Sequence, residues 1–302
     1  MFIHEWGHYI VGRIFGVKIE TFSIGMGKEL IGRTDKRGTR WKFSAIPLGG
    51  YVKFYGDASA ASNPGDIPEG MTDEEKAVCY HFKPLWQRAL IVFAGPAVNL
   101  IAAWMVFSGL VYMNGMVVTD PVVVTVSENS AASEAGVQSR DRILEIDGTE
   151  VERFDDIARI IRLHPGQRLE MIVERDGQET VLYPVIGIEY FVDRFDNQYP
   201  YGLLGVSNYS EEGGTPYTRR IEDPGMFLSL HEGGRRLVGT TKSMFTTLGQ
   251  MLLGVRSMKE LGGIPRIANA LGEAAHASVE YFVWMLAMLS LNLGIINLLP
   301  IP

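Results

Sequence analysis

Two stretches of the chain carry no charged side chain, Ala89 to Thr119 and Tyr281 to Pro302. A helix needs about 20 residues to cross a hydrocarbon core of about 30 Å, so each stretch is long enough to span a bilayer. Two buried helices of a large soluble core would show the same pattern, and Gly95-Pro96 and Asn99 lie inside the first stretch. Membrane helices tolerate Gly and Pro better than soluble ones, and a polar residue at membrane depth usually has a role. The N-terminal run is also apolar with helical spacing.

Between that run and the first long stretch, short strands are predicted. Thr21-Phe22-Ser23-Ile24, Trp41-Lys42-Phe43-Ser44 and Tyr51-Val52-Lys53-Phe54 alternate or enrich strand formers. Gly25-x-Gly27, Gly38 and Gly49-Gly50 punctuate them, and Asn63 to Gly70 reads as a surface loop. The segment is either an ordinary hairpin or a ribbon that offers an edge to an extended substrate.

After the first stretch the pattern is that of a small α+β domain. Val122 to Val126 reads as a strand, Ala131 to Val137 as a short helix ending at glycine, and Asp141 to Gly148 as a strand and turn. Phe154 to Leu163 has helical spacing, and Leu169 to Val173 with Thr180 to Pro184 flank the turn Asp176-Gly177 as a hairpin. This order resembles a bacterial PDZ domain over about 70 residues. The resemblance makes the last strand, with Ile186, Gly187 and Ile188, the peptide groove; the alternative is a spacer that binds nothing. Asp193 to Glu222 is polar and suits loops, and Leu237 to Val255 suits an interfacial amphipathic helix.

Charge orients this pattern. Arg33, Lys36, Arg37, Arg40, Lys42, Lys53, Lys76, Lys83 and Arg88 precede the first long stretch, which places that side in the cytoplasm. The formal net charge of −7 argues against nucleic acid as a partner. A single cysteine excludes an intrachain disulfide and a Cys-based zinc site.

The chemistry is in His4-Glu5-Trp6-Gly7-His8. Positions i and i+4 of a helix share a face, so His4 and His8 can offer two imidazoles to one metal ion, with Glu5 placed to take a proton from a metal-bound water. Two neutral nitrogens suit Zn²⁺.

Read in order, His4-Glu5-x-x-His8, Gly25-x-Gly27, Pro47-Leu48-Gly49-Gly50-Tyr51-Val52, Phe93-Ala94-Gly95-Pro96-x-x-Asn99, the PDZ-like segment, Leu261-Gly262-Gly263-Ile264 and Asn297-Leu298-Leu299-Pro300-Ile301-Pro302 resemble the site-2 protease family of intramembrane zinc metalloproteases (peptidase M50). The resemblance is to the bacterial branch that includes the regulated protease acting on anti-sigma-E factor, here with one PDZ domain. It implies a multi-domain membrane protein: a transmembrane helical bundle with a membrane-associated β-ribbon and an inserted extracytoplasmic α+β PDZ domain. The segments are then a catalytic helix at 1–17, a cytoplasmic-side ribbon and loop at 18–87, a span at 88–118, the PDZ domain at 119–190, a linker with an amphipathic helix at 191–280 and a last span at 281–302.

The same resemblance implies Zn²⁺ held by His4 and His8, Glu5 as the catalytic base, and Asn297, Gly49, Gly50 and Asn99 near the substrate. It implies single-pass membrane proteins as substrates, of anti-sigma-factor or signal-peptide-remnant type, peptide C-termini at the PDZ domain, and a place in the bacterial inner membrane. Relatives continue past Asn-x-x-Pro-x-Pro with Leu-Asp-Gly, whose Asp is the third ligand, and begin with more of the first helix. A chain truncated at both ends, with a third ligand beyond Pro302 and little activity of its own, is the expectation. Two alternatives stand beside it: a soluble zinc protease carrying a PDZ domain, and a catalytically inactive membrane PDZ scaffold that binds peptides.

Overall fold

The apolar N-terminal run folds as helix α1 (Phe2–Ile14) and stops where a glycine lets it. Gly16 takes φ +68°, and the N–H groups of Gly16 and Val17 donate back to the carbonyls of Arg13 and Gly12. These two bonds satisfy carbonyls that a helix end leaves free. The computed structural model describes residues 1–57, 70–192, 198–210, 214–253 and 264–298. The chain forms two units, Met1–Gly109 with Leu271–Pro302, and Leu110–Ala270.

In the first unit, the three expected strand segments belong to two long antiparallel strands, β1 (Ile19–Thr34) and β2 (Arg40–Phe54). Each strand is used twice. Phe22 pairs with both Val52 and Trp41, Ser23 with both Tyr51 and Lys42, and Arg33 also with Trp41. Residues 40–43 therefore lie between 21–24 and 31–34, while 50–54 flank the other side of 21–24. The glycines bend the strands instead of ending them: Gly25, Gly27 and Gly49 all have φ between +83° and +93°, a region costly for residues with a Cβ. Among the described residues, the outer edge of 50–54 has no strand partner.

Val17, Ile19, Phe22, Val52, Phe54 and Ile91 form the core of this unit, with Trp6, Tyr9 and Trp41 packed against it. Burying each large apolar side chain contributes about 1.5–3 kcal/mol. After helix α2 (Asp73–Val78), started by a Thr72–Glu75 capping box, a single tight turn at Tyr80–Phe82 leads into α3 (Leu85–Asn114). Pro96 lies inside α3; it has no N–H to give to the carbonyl of Val92. Both α3 and α8 (Val279–Ile296) are long and apolar enough to cross a membrane. They meet at Gly294, where an added Cβ would lie 3.2 Å from the Pro96 carbonyl. Leu90, Phe93, Ile101 and Met105 of α3 face outward and exposed. The first span ends at Asn114, short of residue 118, because Gly115 turns at φ +70° and Met116 enters a strand.

The second unit contains β3 (Met116–Thr119), β4 (Thr125–Val126), α4 (Ala131–Glu134), β5 (Arg142–Ile146), β6 (Thr149–Glu150), α5 (Phe154–Arg162), β7 (Met171–Arg175) and β8 (Gln178–Leu182). It continues with β9 (Gly187–Val192), β10 (Gln198–Leu203), β11 (Val206–Ser207), β12 (Thr218–Ile221) and α6 (Gly225–Leu252), and α7 (Ile264–Ala277) follows. Strands β6-β5-β7-β8 form one antiparallel sheet, and β9–β10, β4–β11 and β3–β12 pair separately. Two-residue turns at Asp147-Gly148 and Asp176-Gly177 have positive φ at both positions, the twist that antiparallel hairpins favour. Ile143, Ile146, Ile157, Met171, Val173 and Ile186 are fully buried in its core.

The structure corrects the sequence reading in this unit at two places. Within 193–222, expected as loops, the described residues supply β10, β11 and β12: β10 pairs with the adjacent β9, while β11 and β12 pair with the distant β4 and β3. Helix α6 starts at Gly225, twelve residues before the expected Leu237. Its first turns carry Glu232 and Arg235, which are tied to the start of α5. Arg235 bonds both Asp156 (3.0 Å) and Glu232 (3.1 Å), and Arg153 and Arg159 hold Glu232 (2.8 Å) and Asp156 (2.6 Å). Gln250, near the other end of α6, donates to the Leu163 carbonyl. The expected loop at 63–70 lies, except for Gly70, outside the described residues, as do Leu261 to Gly263, Val255 and Leu299 to Pro302.

Candidate metal centre and its relatives

On α1 the i,i+4 spacing brings the two imidazoles together as the sequence predicts. His4 Nε2 and His8 Nε2 are 3.2 Å apart. Two nitrogens bound to one tetrahedral zinc at about 2.0–2.1 Å would be separated by about 3.3 Å, so the pair is preset for a shared ion. His8 Nδ1–H donates to the Ile91 carbonyl at 2.7 Å. That bond fixes the tautomer in which the Nε2 lone pair is free. Ile91 lies one residue before Val92, whose carbonyl Pro96 releases, so the irregular stretch of α3 is where this acceptor is offered.

Close approach of α3 is a condition of the site. A Cβ at Gly95 would overlap the His8 ring, and one at Gly7 would overlap the Ala94 carbonyl. Gly95 therefore provides the space for the His8 ring, and the neighbouring Pro96 leaves the Val92 carbonyl without its helical partner. Among the described residues, no third His, Cys, Asp or Glu joins the two histidines.

Glu5 lies between the imidazoles and the sheet. A Cβ on Gly50 would lie 3.3 Å from Glu5 Cγ. A cleft of about 550 Å³ opens here, lined by His4, Glu5, His8, Gly50, Tyr51, Val52, Pro96 and Asn297 among others. One wall is thus the strand edge that has no partner, and another is the proline break of α3.

The other expected site residues fall in different places. Asn297 caps α8, with its amide nitrogen 3.3 Å from His4 Nε2. Asn99 is buried and meets His4 Nδ1 at 3.0 Å. Gly49 does not line the cleft; its N–H points to Met1 Sδ. The sequence reading missed Ile91, Phe54 and Tyr80; the last two stack on each other and line the cleft. No sequence signal marked Ile91, since nothing in a side-chain motif marks a backbone acceptor.

In the second unit, a separate groove of about 280 Å³ runs between α5 (Phe154, Ile157, Ala158, Ile161, Arg162) and residues Tyr201 to Val206. None of Ile186, Gly187 and Ile188 lines it. Ile186 is a core residue, Gly187 pairs with Leu203, and Ile188 is exposed on β9. The strand beside α5 is β10, and Gly202 makes the approach possible, since a Cβ there would overlap the Ile161 carbonyl.

Two helix-borne imidazoles and an adjacent carboxylate, opening on a cleft with a free strand edge, are the arrangement of a metal-dependent peptidase. Residues 1–302 match peptidase family M50, and the chain belongs to this site-2 protease family of membrane proteins. It is 40% identical over 303 residues to a protein of Agrobacterium fabrum named "putative zinc metalloprotease", a match covering 100% of this chain and 79% of the relative. A Mesorhizobium japonicum protein of the same description is 38% identical, covering 100% and 82%. The "metalloprotease MmpA" of Caulobacter vibrioides is 33% identical, covering 99% and 79%. The chain is accordingly a metalloprotease, and its donor pair fits Zn²⁺.

Proposed function

We propose that this protein is an intramembrane zinc metalloendopeptidase that cleaves membrane proteins within or near a transmembrane segment, in regulated intramembrane proteolysis. The observation that carries this is the adjacency of Glu5 to the unpaired edge of Gly50 to Val52, in a cleft walled by a membrane-length helix. A helical substrate hides its carbonyls in hydrogen bonds, so it must be held extended, and adding it as a strand to that edge does so without regard to side chains. Zinc, when bound, polarises the scissile carbonyl and lowers the pKa of its water toward about 7. Glu5 would take a proton from the attacking water and give it to the leaving nitrogen. Asn297, beside His4 Nε2, is placed to hydrogen-bond the substrate backbone.

On this reading α3 and α8 are spans of the bacterial inner membrane. The second unit carries the extracytoplasmic PDZ domain at 119–190, and the groove between α5 and β10 takes peptide C-termini and restricts which substrates enter. Single-pass proteins of the anti-sigma-factor or signal-peptide-remnant type fit such a site. The test is cleavage of a single-pass substrate in nanodiscs by the wild type and by Glu5→Gln. The variant is expected to lose about 10²–10⁴-fold in rate and to keep its zinc. Equal loss of zinc would make Glu5 a ligand, and unchanged cleavage would remove the reading.

A further inference from the structure

A buried amide lies beside the candidate metal centre. Asn99 is 1% exposed, at the contact of α3 with α8. Its side-chain amide meets His4 Nδ1 at 3.0 Å, and its backbone carbonyl accepts from Ser290 Oγ at 3.1 Å. One turn along α8, Gly294 leaves room for this: a Cβ there would lie 3.3 Å from Asn99 Cβ. An amide buried among apolar helices is costly unless its hydrogen bonds are made, so its place against the imidazole needs a reason.

The reason lies in the two ends of the amide, which heavy-atom positions do not distinguish. If Nδ2 faces His4, it donates to Nδ1, and the ring proton then sits on Nε2, pointing at His8 Nε2. Each nitrogen is satisfied, but His4 is closed to a metal. If Oδ1 faces His4, it accepts Nδ1–H, and the Nε2 lone pair is open beside that of His8. His8 has no such choice, because the Ile91 carbonyl accepts only from an Nδ1 that carries its proton.

We propose that Asn99 is the positioning residue for His4: its side-chain oxygen selects the metal-binding tautomer, its amide can turn over as zinc arrives, and Ser290 anchors the backbone that carries it. The inference rests on the reading of His4 and His8 as zinc ligands. It is a role through His4, distinct from the substrate contact expected for Asn99.

Zinc affinity of the purified protein in detergent, measured by competition with a chromophoric chelator, tests it. Asn99→Leu should weaken zinc binding by about 10–100-fold, as loss of a histidine's hydrogen-bond partner does. Asn99→Asp keeps an acceptor but cannot donate, and should bind zinc as well as the wild type or better. Ser290→Ala should cost only a few-fold. Thermal unfolding of the metal-free proteins shows whether each variant folds; if Asn99→Leu does not, Asn99→Asp decides alone. Weak binding by Asn99→Asp, or binding by Asn99→Leu within about twofold of wild type, overturns the proposal. Absence of binding by the wild type, or undiminished binding by His4→Ala, would instead overturn the zinc-ligand reading itself.

Discussion

The two units bury polar groups in opposite ways. At the metal centre, His4 and His8 have their ring Nδ1 atoms occupied by Asn99 and by the Ile91 carbonyl, while both Nε2 atoms converge on one point. In the second unit, Asp156 and Glu232 are 4% and 1% exposed, and each is saturated by two or more guanidinium contacts. One site holds binding capacity in reserve; the other has used all of it. The difference separates a site built for a ligand from one built to hold two helices together, although both are buried clusters of ionisable side chains.

Removing one partner should be most damaging where every bond is already used. Arg235→Met leaves Asp156 and Glu232 with fewer counter-charges in a buried place, and breaking such a pair costs about 3–5 kcal/mol. Hydrogen-exchange protection across α5 and α6 should fall by about 10²–10³-fold, with α1 and α3 unchanged. Protection within threefold of wild type would mean that α6 is held by its apolar contacts instead.

The converse change belongs to the metal centre. Gly95→Ala places a methyl group on the His8 ring, and displacement of a reacting group by about 1 Å can cost about 10²-fold in rate. Proteolysis should fall by that factor, while α5 and α6 keep their protection. A smaller expected effect is Gly202→Ala, whose Cβ would meet the Ile161 carbonyl. Overpacking of this kind costs about 1–3 kcal/mol, read as faster exchange in α5 and β10 and weaker binding of C-terminal peptides in the groove.

The two sites also differ in how much of them the sequence disclosed. His4, Glu5 and His8 were legible because one helical turn relates them, and both membrane-length helices because charge is absent over most of their length. The hairpins at Asp147-Gly148 and Asp176-Gly177 were legible from turn residues alone. Neither Ile91 nor β10 was: the first acts through a carbonyl that any residue has, and the second acquires its place from α5, some 40 residues earlier. Helix α6 was read twelve residues short because Glu232 and Arg235 look solvated until their partners Arg153 and Asp156 are known. Local periodicity reports what a segment does alone, and these three are defined by what they meet.

Acid should separate the two units without any substitution. Burial alone would raise the carboxyls of Asp156 and Glu232, but hydrogen bonds from Arg159 and Arg235 and the surrounding guanidiniums outweigh it and hold both below their ordinary values. A carboxyl whose folded pKa is depressed binds fewer protons in the folded state than in the unfolded one. Its stabilisation is therefore complete above the unfolded value, about 4, and is lost as pH falls through the lower folded value. Protection of α5 and α6 should thus stay constant from pH 7 to about 5 and decline below about 4, once corrected for the pH dependence of intrinsic exchange. Arg235→Met should flatten that decline, because the depression it removes is what links the helices to protons. A decline of the same depth in the variant would place the acid-sensitive groups elsewhere in the second unit.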